Sequence, residues 1–485
     1  MRPLENIFLC LILFSSLNLI LFKNKKIQFY LPLVTIISGI SSIIFEGYRV
    51  HIVPALIFSL VILTHVILKT LFPKRKNNKL LSIIYAILLI LTLFISIAIP
   101  LVFPVVRLHK PTGPHLVGTK IMSFVDTSRI EKLSNSNEYR NVPVQVWYPT
   151  SNIKGKKAAN WINSSEAMDF LSESWNLPNI LEHFSLVKTH SYLNTDVSEK
   201  EKKYPVILFS GGYGMFNGQN VIQMEELASK GYIVFSVGHP YEDFACIYPD
   251  GKITPSSKKQ SAILSDDTSK AINNAKKSKI NENDAEFDRT IIRNAKFSNA
   301  SAKLWSNDMS FTINKITDMN SGKINSIFLD KLDIESIGAF GHSFGGAASS
   351  QLCIQDNRVK AFINMDGTPF GDSPDKIINQ PFMILTHKKN EKPNIPYGYS
   401  KNQKNFMVVY IDGAEHMNFS DLNSLIPFLG KITTLLGDVK ENRQIEIMND
   451  YIIGFFNKHL KGTRSPSSVI EGSSSKYPEV TIDVK

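Results

Sequence analysis

The sequence predicts an α/β fold, a mostly parallel sheet with helices on both faces, preceded by an N-terminal four-helix transmembrane region. Three observations carry that reading. Long apolar stretches crowd into the first hundred residues, and after them short apolar runs alternate with helical stretches. One of those runs ends in residues 337–346, IGAFGHSFGG, where a strand turns sharply into a helix. The 485 residues exceed one ordinary core, and the uneven spread of their 43% apolar content sets a boundary between residues 1–105 and 106–485.

Residues 4–22, 27–45, 52–72 and 80–103 are each long enough to cross a hydrocarbon layer of about 30 Å at about 1.5 Å per residue. Joined as helical hairpins, they leave no backbone polar group facing lipid. A secretory leader is the other reading of the first stretch. Against it, Lys23, Lys25 and Lys26 stand where a small-residue cleavage site belongs, and three more apolar stretches follow. Positive charge gathers in this first connector and in residues 73–79, whereas the second connector sets Arg49 against Glu46. The positive-inside tendency therefore puts the first and third connectors in the cytoplasm and residues 106–485 on the extracytoplasmic side. His65, within the third stretch and without an acidic residue or arginine in that stretch, is expected to be a packing residue.

The formal net charge of +11 comes from lysine clusters between apolar runs and from polar stretches, with no pattern of arginines and aromatics, so no nucleic-acid partner is expected. Cys10, Cys246 and Cys353 have no metal-ligand or paired spacing, and neither a metal nor another cofactor is expected. Beyond residue 111 the chain turns to buried strands. Residues 142–148 alternate like a strand; residues 204–210 and 232–237 are continuous apolar runs flanking a helix near 224–230, which makes a parallel pair. Residues 256–300 are polar and poor in aromatics, an insertion expected to be helical, read either as a lid or cap on the α/β core or as a solvated excursion with no catalytic role. An amphipathic helix at 302–319 leads to the strand 333–340, then come strands at 360–365, 381–386 and 405–411 and a last helix at 445–460.

The chemistry starts at Gly341-His342-Ser343-Phe344-Gly345. In a G-x-S-x-G elbow the turn is too tight for side chains at the flanking positions, and it lifts a nucleophilic serine clear of the sheet. A serine needs a base, and the base needs an acid that fixes its tautomer, in the chain order serine, acid, histidine for this architecture. His416, in the loop after the last strand, is the preferred base over His342, in the elbow itself, and His387, at a strand end. Asp366 is the preferred acid, because it follows the next strand among apolar residues and a glycine turn; Glu391, among lysines one strand later, is the alternative. The tetrahedral oxyanion needs two N–H donors. Phe344 supplies one, and Ser210-Gly211-Gly212-Tyr213-Gly214 the other, from Tyr213 first and Gly212 next.

With these residues in place the chain resembles the platelet-activating factor acetylhydrolases of the plasma type and their bacterial relatives, an α/β-hydrolase family. The resemblance rests on GHSFGGA, on an Asp twenty-three positions after the serine, and on the His416, Asn418, Phe419 pattern. It extends to FSGGYG, VQVWYP, His239-Pro240-Tyr241 and Tyr477-Pro478-Glu479, with Gly211-Gly212 standing where those relatives usually have His-Gly. It implies an α/β-hydrolase fold and calcium-independent hydrolysis of short or oxidised acyl esters of phospholipids, so a lipid or ester substrate is expected; the integral membrane setting is expected from the four apolar stretches, an anchor by which the chain differs from the soluble plasma enzyme. A broad carboxylesterase or acyltransferase acting on cell-surface substrates, and a membrane sensor with a vestigial hydrolase domain, are the other readings of the same residues.

Overall fold

A computed structural model of the protein describes residues 2–21, 24–72, 79–134, 137–282, 284–387, 406–462 and 476–484. The chain divides into two compact units, one of Met1–Arg107 with Leu177–Val187, the other of Leu108–Asn176 with Lys188–Lys485.

The first unit holds helices α1 (Pro3–Leu21), α2 (Lys25–Glu46), α3 (Val53–Leu71) and α4 (Lys79–Val102). Among the described residues three of them, not four, are long and apolar enough to cross a membrane: α2, α4, and α3 with the turn before it. Close approach ties the helices together. A Cβ on Gly39 of α2 would stand 2.7 Å from Leu56 and 2.8 Å from Phe8, and Ser15 bonds Thr35 across α1 and α2 at 2.8 Å. The Glu46 carboxylate caps α1, accepting from the N–H groups of Leu4 at 2.8 Å and Glu5 at 3.0 Å, while Glu5 pairs with Arg49 and with Arg2. His65 packs as its sequence position suggests, its ring stacked on Tyr85 of α4.

The second unit is built on strands β1 (Leu116–Ile130), β2 (Tyr139–Thr150), β3 (Ala158–Asn160), β4 (Lys188–Leu193), β5 (Tyr204–Ser210) and β6 (Ile233–Val237). The hairpin of β7 (Ala245–Ile247) and β8 (Ile253–Pro255) follows, then β9 (Leu332–His342), β10 (Val359–Met365), β11 (Phe382–His387), β12 (Phe406–Ile411) and β13 (Val480–Val484). Its helices are α5 (Ser165–Ser174), α6 (Val221–Ser229), α7 (Lys258–Lys277), α8 (Ala285–Asn294), α9 (Lys296–Asn320), α10 (Phe344–Gln355), α11 (Leu422–Leu425), α12 (Pro427–Ile432) and α13 (Glu441–Leu460).

Among the described residues eleven strands make one sheet in the order β13-β12-β11-β10-β9-β5-β6-β2-β1-β4-β3. The six from β12 to β6 run parallel, and they are the continuous apolar runs, since strands covered by helices on both faces must be apolar on both. The antiparallel flank β1-β2 buries nearly all of β2 and less of β1. At the other edge β13 pairs antiparallel with β12, so part of the Gly-, Ser- and Pro-rich tail ends in a strand that its composition hides. The polar insertion is helical, as α7 and α8. The strand order reverses between β5 and β9, and the carboxyl ends there form the crevice where open α/β sheets place their chemistry.

Candidate active site

The elbow joins β9 to α10, and Ser343 between them has φ 54° and ψ −121°, a backbone conformation that costs an L residue on the order of 1–3 kcal/mol. Its two glycines are required by space. A Cβ on Gly341 would come within 2.2 Å of the Gly345 carbonyl oxygen, and one on Gly345 within 2.0 Å of the Ser210 carbonyl oxygen. The second contact seats α10 directly on the loop after β5.

The sheet carries the next two residues. Ser343 N–H donates to the Met365 carbonyl at 2.8 Å, and Asp366 N–H to the Leu385 carbonyl at 2.8 Å, so Ser343 and Asp366 each hang one step beyond a strand end. His416 begins a single 3₁₀ turn after β12. Asn418 locks that turn: its Oδ1 accepts from Glu415 N–H and Gly437 N–H, each at 2.8 Å, and its amide donates to Asn423. Asn418 thus has a structural reason to follow the histidine.

These residues meet in one line. The Ser343 hydroxyl lies 3.0 Å from His416 Nε2, and His416 Nδ1 lies 2.6 Å from Asp366 Oδ2. The imidazole therefore donates from Nδ1 to the carboxylate and leaves Nε2 to accept from serine. Asp366 also accepts from the Thr386 hydroxyl and from His387 Nδ1 at 3.2 Å. Burial disfavours the Asp366 charge, but the hydrogen bonds from His387 and His416 outweigh it and hold the carboxyl below its ordinary range. Glu391, the alternative acid, lies outside the described residues.

The loop after β5 faces the same serine. A Cβ on Gly212 would stand 3.3 Å from Ser343 Cβ. Gly212 N–H is already committed, donating to Gln219 Oε1, whereas among the described residues the N–H groups of Tyr213 and Phe344 have no hydrogen-bond partner. Trp305 of α9 fills the space beside both, stacked parallel to Tyr213 with ring centres 6.0 Å apart and edge-on to Phe344 at 4.9 Å. A fully buried relay stands behind the loop: the Ser210 hydroxyl donates to His239 Nε2 at 2.9 Å, and His239 Nδ1 donates to Asp308 at 3.1 Å. Arg140 clamps that carboxylate with bonds of 2.8 and 2.6 Å, and Arg129 adds a third. Burial opposes the Asp308 charge, but Arg140 outweighs it and holds the carboxyl well below the usual range; burial lowers the His239 pKa.

Sequence reasoning alone does not reach Thr386, Trp305, Gln219 or this relay, and it weighs His387 only as an alternative base, not as the second donor to Asp366. Only the register of β10 on β11, pairing Met365 with Leu385, would have pointed to Thr386 as the neighbour of Asp366.

A sequence model of platelet-activating factor acetylhydrolase, isoform II, matches residues 101–472. Similar proteins include the platelet-activating factor acetylhydrolase of Canis lupus familiaris, 26% identical over 405 residues that cover 78% of this chain and 84% of that one. The Bos taurus protein of the same name is 26% identical over 361 residues, covering 68% and 75%. A probable 1-alkyl-2-acetylglycerophosphocholine esterase of Arthroderma benhamiae is 30% identical over 171 residues, covering 30% of this chain and 42% of its own. Among solved structures, a ferulic acid esterase from Streptomyces cinnamoneus matches with a TM-score of 0.62 at 24% identity, covering 78% of this chain and 99% of that one, a likeness of fold.

Proposed function

The chain belongs to the platelet-activating factor acetylhydrolase, isoform II, family, and on that premise we propose a membrane-anchored serine esterase that hydrolyses short or oxidised sn-2 acyl groups of phospholipids. One observation carries the mechanism: the line from Asp366 through His416 to Ser343 at a strained elbow. Ser343 Oγ adds to the ester carbonyl carbon while His416 Nε2 takes the hydroxyl proton, and the carbonyl electron pair moves onto oxygen. The N–H groups of Phe344 and Tyr213 hold that oxyanion. Its collapse breaks the bond to the alcohol oxygen, which leaves with the proton from His416. Water then repeats the sequence on the acyl-enzyme, freeing the acid and Ser343. Asp366 holds the imidazole in the tautomer that both halves need.

Residues 1–105 act as the anchor and residues 106–485 as the catalytic region. The exposed apolar side chains around α4, among them Leu81, Ile87, Ile90 and Phe94, support a lipid-facing helix. The orientation follows from α2, α3 and α4 alone: three crossings suffice to keep residues 23–26 and 73–79 in the cytoplasm and deliver residue 106 to the extracytoplasmic side. There a lipid substrate is held at high effective concentration. Leu264 of α7 packs on the same core as Tyr213, which supports a lid role for residues 256–300. The test is turnover by the purified full-length protein on phospholipids of graded sn-2 chain length. Rates that fall steeply as an unoxidised chain lengthens are expected; rates that hold level or rise overturn the substrate assignment.

A further inference from the structure

One buried amide joins the loop that supplies an oxyanion donor to the turn that supplies the base. Gln219 follows the Gly211–Gly214 loop, fully buried, and its Oε1 accepts from Gly212 N–H at 2.6 Å. An N–H group can only donate, so the amide's oxygen is fixed on that side and its Nε2 on the other. That Nε2 donates to Nδ1 of His342, at 2.5 Å. A ring that accepts at Nδ1 carries its proton on Nε2, and His342 Nε2 donates in turn to the main-chain oxygen of His416 at 3.0 Å. From Gly212 through Gln219 and His342 to His416, each link has one donor and one acceptor, all pointing the same way.

The same two segments are fastened independently. Asp421 N–H donates to the Gln219 carbonyl at 3.0 Å, the Asn220 amide to the Phe419 carbonyl at 2.8 Å, and Val221 N–H to the Asp421 carboxylate at 2.7 Å. A Cβ on Gly212 would lie 3.3 Å from Ser343 Cβ and 3.4 Å from both Gln219 Oε1 and His342 Nδ1, so the chain of bonds passes right beside the nucleophile.

We propose that Gln219 is a positioning residue of the esterase reaction: through Gly212 on one side and His342 on the other, it holds the Tyr213 donor and the His416 base in register around Ser343. It also withdraws Gly212 N–H from the oxyanion and leaves that task to Tyr213. The inference rests on the serine-esterase reading above. The titratable groups facing His342 are His416 and, farther off, Asp366.

The test compares kcat, KM and Tm of full-length wild type, Gln219→Met and Gln219→Glu on a soluble short-chain ester. Gln219→Met keeps the length and removes both bonds; kcat should fall about 10- to 100-fold with KM changed less than about threefold. Gln219→Glu still accepts from Gly212 but leaves the chain one proton short at His342 Nδ1. Its activity relative to wild type should therefore rise as pH falls from about 9 to about 6, while a merely structural role leaves that ratio flat. Wild-type kcat in Gln219→Met, or a flat Gln219→Glu ratio, overturns the proposal; if Gln219→Met does not fold, the nearly isosteric Gln219→Glu decides. A fluorophosphonate control separates the two claims. Wild type that is not labelled at Ser343 sinks the esterase reading, whereas labelled, active wild type beside fully active Gln219 variants sinks the positioning role alone.

Discussion

Asp366 is the residue on which most of the site's hydrogen bonds converge. It sits at φ 54°, next to a glycine, and its buried carboxylate serves His416, His387 and Thr386 at once. Replacing it with Asn keeps the shape but removes the charge that fixes the imidazole tautomer, and kcat should fall by about 10⁴ in steady-state assays. The same carboxyl is held below its ordinary pKa in the fold. Its stabilising share is therefore complete above the unfolded value of about 3.9 and is lost as pH falls through the folded value. Thermal melts taken at falling pH should show wild type losing Tm more steeply than Asp366→Asn below about pH 4; parallel curves would contradict this. The grouping of Ser343, Asp366 and His416 was legible because motif, chain order and apolar flanks point the same way. His387 and Gln219 were not, because their meaning comes from partners that only strand register or a distant turn brings within reach.

At the scale of elements, the site depends on α10 lying flat against the loop after β5. Gly345→Ala would push a methyl into the Ser210 carbonyl, 2.0 Å away. Overpacking of this kind costs about 1–3 kcal/mol, and fluorophosphonate labelling should slow in protein that is still folded at assay temperature. Helix α6 holds a second sensitive group. Glu225 is fully buried, accepts from His190 N–H and the Ser191 hydroxyl, and burial pushes its pKa up to about 7. Folding therefore favours its protonated form, so its stabilising share is complete below the unfolded value of about 4.3 and lost as pH rises through about 7. Raising pH from about 5 to about 8 should lower the Tm of wild type relative to Glu225→Gln, and a constant difference would contradict the assignment. The parallel strands β5, β6 and β9 to β12 could be read as unbroken apolar runs. Strands β1 and β13 could not, since edge positions mix polar and apolar residues and are defined by their neighbours.

For the whole molecule, composition marks the change near residue 105 and suggests four spans, where among the described residues three helices are long and apolar enough to cross a membrane. The proposed orientation is independent of that helix. In intact cells a membrane-impermeant maleimide should label Lys202→Cys and spare Lys26→Cys, each made in a Cys10→Ser chain that removes the exposed thiol and leaves only buried Cys246 and Cys353 as background. The reverse pattern would place the catalytic region in the cytoplasm. The two units share one chain but are held by different means: close helix approach at a small residue and a hydrogen bond between apolar helices in the first, a two-sided apolar sheet in the second. What joins them functionally is the claim that Ser343 is an acylated nucleophile. The most direct measurement is fluorophosphonate modification of the purified full-length protein, mapped by peptide mass and followed alongside ester turnover. A single adduct on Ser343, with both adduct and turnover abolished in Ser343→Ala, is the predicted result; an adduct elsewhere, or turnover that survives Ser343→Ala, would contradict it.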